Sequence, residues 1–350
     1  MSLSKNQIIA VVAVVVIVVA AVAVAIDTTG GGSSDSDAGG SYEDGSVTIE
    51  VYTAADGFIE QTFDSIPERI VVGNMTVLET LLYFGLGDRI VAVYYLEDEL
   101  WDNEYVQSEY QRLEARLGSE YITDGTFDQA FLVDLEPDLI MGYSSSFQES
   151  RFGTPSFWNS IGCNVWSTYC LNSSSSLSHN SSWDQMDLMR MDYENIGKVF
   201  DIESQTSEYM NQFESLVTNI RDNQVSGDVT VLIAEYHSSN NEHFSQTYGD
   251  NSFSGWLLSL TGATNYDPEA GGIDLAQVVD ATELDGFVLI TYGSSSTTSS
   301  FESEVIGNSL YSGVKPFAEN NYISWGLNGN YGGVSALEIL QSLYDYVRSL

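Results

Sequence analysis

Apolar and polar side chains alternate from Val47 to Tyr52 (V-T-I-E-V-Y), the chain turns at Ala55-Asp56-Gly57, and alternation resumes over Phe58–Phe63. Successive strand side chains point to opposite faces, so two such runs around Asp-Gly predict a β-hairpin. An unbroken apolar run, Ile70–Val72, then ends at Gly73. Thr76 and Glu79 stand at the spacing of a capping box, and Val77, Leu78, Leu81 and Leu82 recur at helical intervals. That helix closes at Gly85/Gly87, and a strand is expected at Arg89–Tyr94. Strand, helix, strand is a βαβ unit and implies a parallel sheet.

The pattern recurs. Phe131–Asp134 is a short amphipathic piece, Leu139–Gly142 a strand, Thr154-Pro155 a helix start closed by Gly162, and Val165–Thr168 a further strand. Beyond residue 226 the alternation begins again. Strands are expected at Val229–Ala234, Phe287–Thr291 and Tyr322–Trp325, and helices at Phe253–Leu260 (closed by Gly262) and Leu275–Val279. A last helix follows, where Ser335 and Glu338 have capping-box spacing. Between the two α/β halves, Met189, Tyr193, Ile196 and Phe200 fall at helical steps. Asp201 interrupts them, and Tyr209, Met210, Phe213, Leu216, Val217 and Ile220 resume the spacing. This stripe reads as core. A helix of some 20 residues from Glu203 would span about 30 Å and could serve as a strut between the halves.

Ile8 to Ile26 is uncharged, proline-free and built from Ala, Val and Ile. Its 19 residues would reach about 28 Å as a helix, close to the thickness of a bilayer's hydrocarbon core. Lys5 precedes it and Asp27 follows, which orients the remaining chain outward. Residues 1–26 are therefore expected to be a transmembrane signal-anchor, with the protein held at the extracytoplasmic surface. Residues 27–46, rich in Gly, Ser and Asp, are expected to form a flexible tether. The expected lobes are 47–176 and 226–350, with a helical region over 177–225.

The 350 residues carry 11 Lys+Arg against 50 Asp+Glu, a formal net charge of −39. That balance excludes nucleic acid and anionic bilayer surfaces as partners, because both demand basic groups. The 43% hydrophobic fraction rules out a disordered acidic chain. Cys163 and Cys170 flank a run read as a strand; if it is extended, their Cα atoms lie roughly 20 Å or more apart, beyond disulfide reach. Sequons occur at Asn74, Asn172 and Asn180.

Residues 63–93 (FDSIPERIVVGNMTVLETLLYFGLGDRIVAV) resemble the opening of the periplasmic-binding-protein family serving ABC importers of iron–siderophore, heme and vitamin B12. Leu135-Glu136-Pro137-Asp138-Leu139-Ile140 is similar to its L-x-P-D-L-I phrase, Gly162-Cys163-Asn164-Val165 to its Gly-Ile-Pro-Val, and residues 248–268 to its Gly-x-x-x-Phe…Gly-Ala-x-Asn segment. The resemblance spans about residues 47–350. It implies an α/β protein of two Rossmann-like lobes with mostly parallel sheets joined by one long α-helix, and a ligand cleft between the lobes. It implies no cofactor; the partners would be an ABC permease and its ATPase, and the ligand a metal chelate. The resemblance implies docking to the permease through acidic side chains, for which Glu97, Asp98, Glu99 and the acids of 267–274 are candidates here, although each taken singly reads as part of a solvated acidic face.

Ligands of open parallel sheets bind at the carboxyl ends of strands. The loops expected there hold the candidate ligand-binding residues Asn74, Tyr94, Tyr95, Trp101, Tyr143, Arg151, Tyr169, Tyr236, His237, Tyr248, Trp256, Tyr292, Trp325 and Tyr331. Flat rings offer large contact area at low entropic cost. Arg151 is the sole Arg or Lys in those loops, which favours a neutral or weakly charged chelate (a hydroxamate siderophore or corrinoid) over an anionic catecholate. Glu235, His237, Glu242 and His243 could hold a bare metal ion, but they lack helical HxxxH spacing and the other histidine is His179. No metal ligand is nominated. Nor is a catalytic residue, since G-x-S-x-G, P-loop and HExxH patterns are absent and acids are too frequent for a pair to inform. An anchored surface hydrolase and a metal-ion receptor stand as alternative functions.

Overall fold

The computed structural model describes residues 42, 45–94, 101–123, 125–172, 183–226, 228–236, 244–270, 278, 283–292, 298–306 and 308–350. The expected signal-anchor lies outside them, as does all of the expected tether except 42, 45 and 46. Strands β1 (Val47–Thr53) and β2 (Gly57–Phe63) pair antiparallel from Val47↔Phe63 to Thr53↔Gly57. Gly57 takes φ +72, a conformation only glycine adopts freely, and so closes the hairpin. Val47, Ile49, Val51 and Phe63 turn inward onto the first sheet's core.

That sheet contains β3 (Ile70–Gly73), β4 (Ile90–Val93), β5 (Leu139–Gly142) and β6 (Asn164–Trp166), in the order β4-β3-β5-β6 and parallel throughout. Its helices are α1 (Met75–Tyr83), α2 (Glu104–Leu117), α3 (Gln129–Asp134) and α4 (Pro155–Ser160). Every residue of β3 and β5 is buried, as expected of strands covered on both faces. Ile70, Val72 and Met141 face one core, and Val71, Ile140 and Val165 the other. Helix α2 has no counterpart in the sequence reading. Only Val106 and Leu113 of its 14 residues are buried, a stripe too thin to stand out.

Helices α5 (Gln185–Phe200) and α6 (Glu203–Asp222) follow. The region is a packed helix pair rather than a lone rod. Asp201 makes the turn in a left-handed conformation (φ +57), and Tyr193 stacks on Tyr209 at 4.6 Å. Ile196, Val199 and Phe200 of α5 join the first lobe's core. Tyr209, Phe213, Val217 and Ile220 of α6 pack with the second lobe's Trp256, Leu257 and Leu340.

The second sheet comprises β7 (Thr230–Tyr236), β8 (Phe244–Thr247), β9 (Thr264–Asn265), β10 (Gly286–Thr291) and β11 (Tyr322–Gly326), with α7 (Phe253–Thr261) and α8 (Ala336–Ser349) against it. Its order is β11-β10-β7-β8, with β9 also on β7. Only β8 runs antiparallel, to β7. Of the helix expected at Leu275–Val279, Val278 alone is described, helical and buried. Cys163 and Cys170 are both buried free thiols. Asn74 and Asn172, two of the three sequon asparagines, are buried at 3% and 9% exposure.

The helix pair depends on Gly197, where an added Cβ would lie 2.6 Å from Thr206 Oγ1 and 3.0 Å from the Glu203 Cα. Gly197→Leu should therefore lower unfolding stability by roughly 2 kcal/mol or more in urea titrations, through overpacking of the α5–α6 contact.

Candidate functional site

The carboxyl ends of the first sheet lie side by side at Gly73, Val93, Gly142 and Trp166. Tyr94 lies across two of them. A Cβ on Gly73 would come within 1.9 Å of the Tyr94 ring, and one on Gly142 within 2.9 Å of its hydroxyl. Tyr94 is fully buried, edge-on to Phe152 at 4.7 Å. The Asn74 side chain caps α1 by accepting the Val77 N–H (3.2 Å). Tyr169 is also buried, and its phenol donates to the Glu50 carbonyl (2.9 Å). Tyr143 is half-buried, whereas Arg151 is exposed with Nη1 3.3 Å from Ser145 Oγ.

In the second lobe, Tyr236 donates to Glu304 (2.6 Å) and Tyr248 to Glu235 (3.0 Å), and both tyrosines are buried. Trp256 packs against Phe253 and Phe213. Tyr292, Trp325 and Tyr331 are half-buried. Thus Trp101, Tyr143, Tyr292, Trp325 and Tyr331, with Arg151, keep accessible surface. Asn74, Tyr94, Tyr169, Tyr236, Tyr248 and Trp256 are packed inside. Tyr95, His237, Glu97, Asp98, Glu99, His179, Glu242 and His243 fall outside the described residues. Among the described residues, no group of three His, Cys, Asp or Glu side chains could hold a metal ion.

Two of the accessible rings converge from opposite halves. Tyr143 follows β5 of the first sheet, Tyr331 follows β11 of the second, and their rings meet edge-on at 6.2 Å. Beside them the halves are joined by polar contacts that sequence spacing misread. Thr76 does not cap α1; its Oγ1 donates to the Asn328 carbonyl (2.9 Å). Glu79, fully buried, accepts the Trp101 backbone N–H (2.5 Å) and an Asn328 Nδ2–H (2.5 Å). Ser335 makes no side-chain cap, and Glu338 accepts the Trp101 indole N–H (2.9 Å) instead. The acids of both supposed capping boxes are partners of one tryptophan. A signal was present, since an acid amid the apolar residues of α1 needs partners, but the sequence does not name them.

No family model matches the sequence, and no curated protein does. Solved structures match closely in three dimensions. A periplasmic binding protein from Veillonella parvula superposes with a TM-score of 0.68 at 22% identity, over 87% of this chain and 93% of that one. An ABC-type Fe3+-hydroxamate transport protein from Saccharomonospora viridis gives 0.65 at 15%, over 85% and 98%. The chain has the periplasmic-binding-protein fold. The catecholate-siderophore binding protein VctP from Vibrio cholerae shares that fold too (TM-score 0.61, 15% identity, 85% and 100% covered). Proteins named for a hydroxamate and for a catecholate siderophore therefore share this fold.

Burial raises the Glu338 carboxyl above its ordinary value, helped by the nearby Asp102 charge, while the Trp101 indole pulls the other way. An acid with a raised folded-state pKa loses its proton first in the unfolded chain, so it weakens the fold as pH climbs past 4.5, the ordinary value of such a carboxyl. Glu338→Gln, whose amide oxygen can still accept the indole N–H, should therefore gain stability relative to wild type above that pH. The gain should level off once the folded-state carboxyl has ionised, as followed by urea midpoints at successive pH values. Glu79→Ala leaves the Trp101 N–H and the Asn328 amide without their acceptor and should cost about 3 kcal/mol or more in the same assay.

Proposed function

We propose that this protein is an extracytoplasmic substrate-binding protein of an ABC importer, capturing a metal chelate between its two lobes and passing it to a permease and ATPase without covalent chemistry. The observation that carries the reading is the meeting of strand-end rings from two mostly parallel sheets at Tyr143 and Tyr331 in a periplasmic-binding-protein fold. The chelate would rest on Tyr143, Tyr292, Trp325 and Tyr331. The α5–α6 pair and the hydrogen bonds of Trp101 would limit lobe closure. An N-terminal anchor, if it spans the membrane as its length implies, would keep the receptor near its importer.

Charge supports a neutral chelate over an anionic one. Six of the described cations are committed away from the strand ends. Arg69 donates to the Leu135 and Glu136 carbonyls, Arg89 to Pro67 O, and Arg116 to Gly87 and Ile90 O. Arg112 pairs with Glu109, Arg190 with Glu214, and Lys315 with Asp285. Arg151 alone remains in a strand-end loop. A tris-catecholate complex, which carries several negative charges, calls for more cationic partners than that.

Titration of the purified ectodomain with a ferric hydroxamate, cobalamin and a ferric tris-catecholate, read by tryptophan fluorescence, tests the reading. Saturable quenching at micromolar concentration or tighter is expected for the hydroxamate or cobalamin, and at least about tenfold weaker binding for Tyr331→Ala, given what a buried aromatic contact contributes. Binding of none of the three, together with hydrolysis of a glycan or peptide, would sink the proposal; tight binding of the catecholate alone would overturn the charge argument.

A further inference from the structure

The β1–β2 hairpin carries two rings on the wrong face for its own pattern. Its outward positions Thr48, Glu50, Glu60 and Thr62 are polar and exposed, as alternation along a half-covered hairpin requires. The pattern breaks at the tip, where Tyr52 and Phe58 pair across the strands on that same outward face. Their rings meet edge-on at 5.3 Å. Two more rings join them from other segments. Phe58 lies 6.3 Å from Tyr169, which follows β6, and 6.2 Å from Trp183, which precedes α5. Tyr169 and Trp183 are 6.0 Å apart. Tyr169 is buried and forms the floor of the group, whereas Tyr52, Phe58 and Trp183 are half-buried and keep accessible surface.

Two contacts place this group beside the rings that meet between the lobes. At the hairpin tip the Ala54 N–H donates to the Ser144 carbonyl (3.3 Å), one residue beyond Tyr143. Gly332, one residue beyond Tyr331, lies against Cys170, where an added Cβ would come within 2.8 Å of the sulfur. Cys170 directly follows Tyr169. The hairpin rings therefore continue the wall that begins at Tyr143 and Tyr331. What this extension offers is carbon surface rather than charge, so it can read the apolar area of a guest but not its ionisation. Sequence reading nominated none of Tyr52, Phe58 and Trp183, because the hairpin and the start of α5 lie outside the parallel sheets.

We propose that Tyr52 and Phe58 of the hairpin, with Trp183, form a second part of the ligand site, which selects chelates bearing a broad apolar flank outside their metal-binding groups. The inference rests on the chelate-binding reading and adds a selectivity to it. Tyr143 and Tyr331 meet the chelate, and the hairpin rings meet its periphery.

The test compares ferric tris-acetohydroxamate with ferric tris-benzohydroxamate, by equilibrium dialysis against the ectodomain in excess hydroxamic acid. The two complexes share metal, chelating group and neutrality, and differ in a methyl against a phenyl flank. Wild type should bind the phenyl complex at least about tenfold more tightly. Phe58→Ala and Trp183→Ala should each erase most of that preference, losing far more affinity for the phenyl complex than for the methyl one. In wild type labelled with 5-fluorotryptophan, the fluorine signal of Trp183 should shift with the gallium benzohydroxamate complex, a readout that holds even if an alanine variant does not fold. Equal wild-type affinity for the two complexes, equal losses for both in the variants, or a stationary Trp183 signal would overturn the proposal and leave the chelate-binding reading standing. Failure of both complexes to bind would also overturn it, and the broader reading falls as well only if cobalamin and the ferric tris-catecholate fail too.

Discussion

A buried carboxylate holds the two lobes in register. Glu79 lies in the middle of α1, a helix whose residues from Met75 to Leu82 are all buried, so its side chain cannot reach bulk water. It is retained because Trp101 and Asn328 supply N–H donors from either side, one from the first lobe and one from the second. A charge in that position would be costly without them. Its hydrogen bonds therefore position α1, the segment after β4 and the Leu327–Asn330 turn together. Tyr331, the residue after that turn, inherits its place against Tyr143 from the same contact.

Around this centre the interface is aromatic. Tyr83 packs on Phe84, Trp101 and Tyr209, and Phe84 on Tyr193. Tyr209 extends the set by donating to the Gly333 and Val334 carbonyls. Rings fill the space between helices from both lobes, while their few polar ends find backbone partners. The loop that follows leaves no slack: a Cβ on Gly333 would lie 2.5 Å from the Thr76 methyl. Glycine is required there by close approach rather than by an unusual backbone angle. Such a junction leaves the two lobes little room to shift against each other.

The chain uses its scarce cations structurally. Arg69, Arg89 and Arg116 each satisfy backbone carbonyls near strand beginnings, and Lys315 secures Asp285 just before β10. With so few positive groups, every one spent on a carbonyl or a local acid is unavailable to an anionic guest.

Local pattern determined the strands and most helices of this protein. The Asp-Gly hairpin, the all-apolar β3 and β5, the glycine stops and the 20-residue helix from Glu203 all follow from nearest-neighbour sterics and burial on one or two faces. The alternation of those elements also foretold parallel sheets in two halves. Tertiary structure alone decided which polar residues serve which end. Thr76, Glu79 and Glu338 have the spacing of helix caps, yet their hydrogen bonds run to Asn328 and Trp101. Likewise, several tyrosines placed by sequence at strand ends are packed inward, with Tyr236 and Tyr248 donating to carboxylates of their own lobe. Periodicity reports how a side chain relates to its own element; where that side chain finds its partner depends on a second element, between 13 and 252 positions away in these cases, which no local pattern encodes.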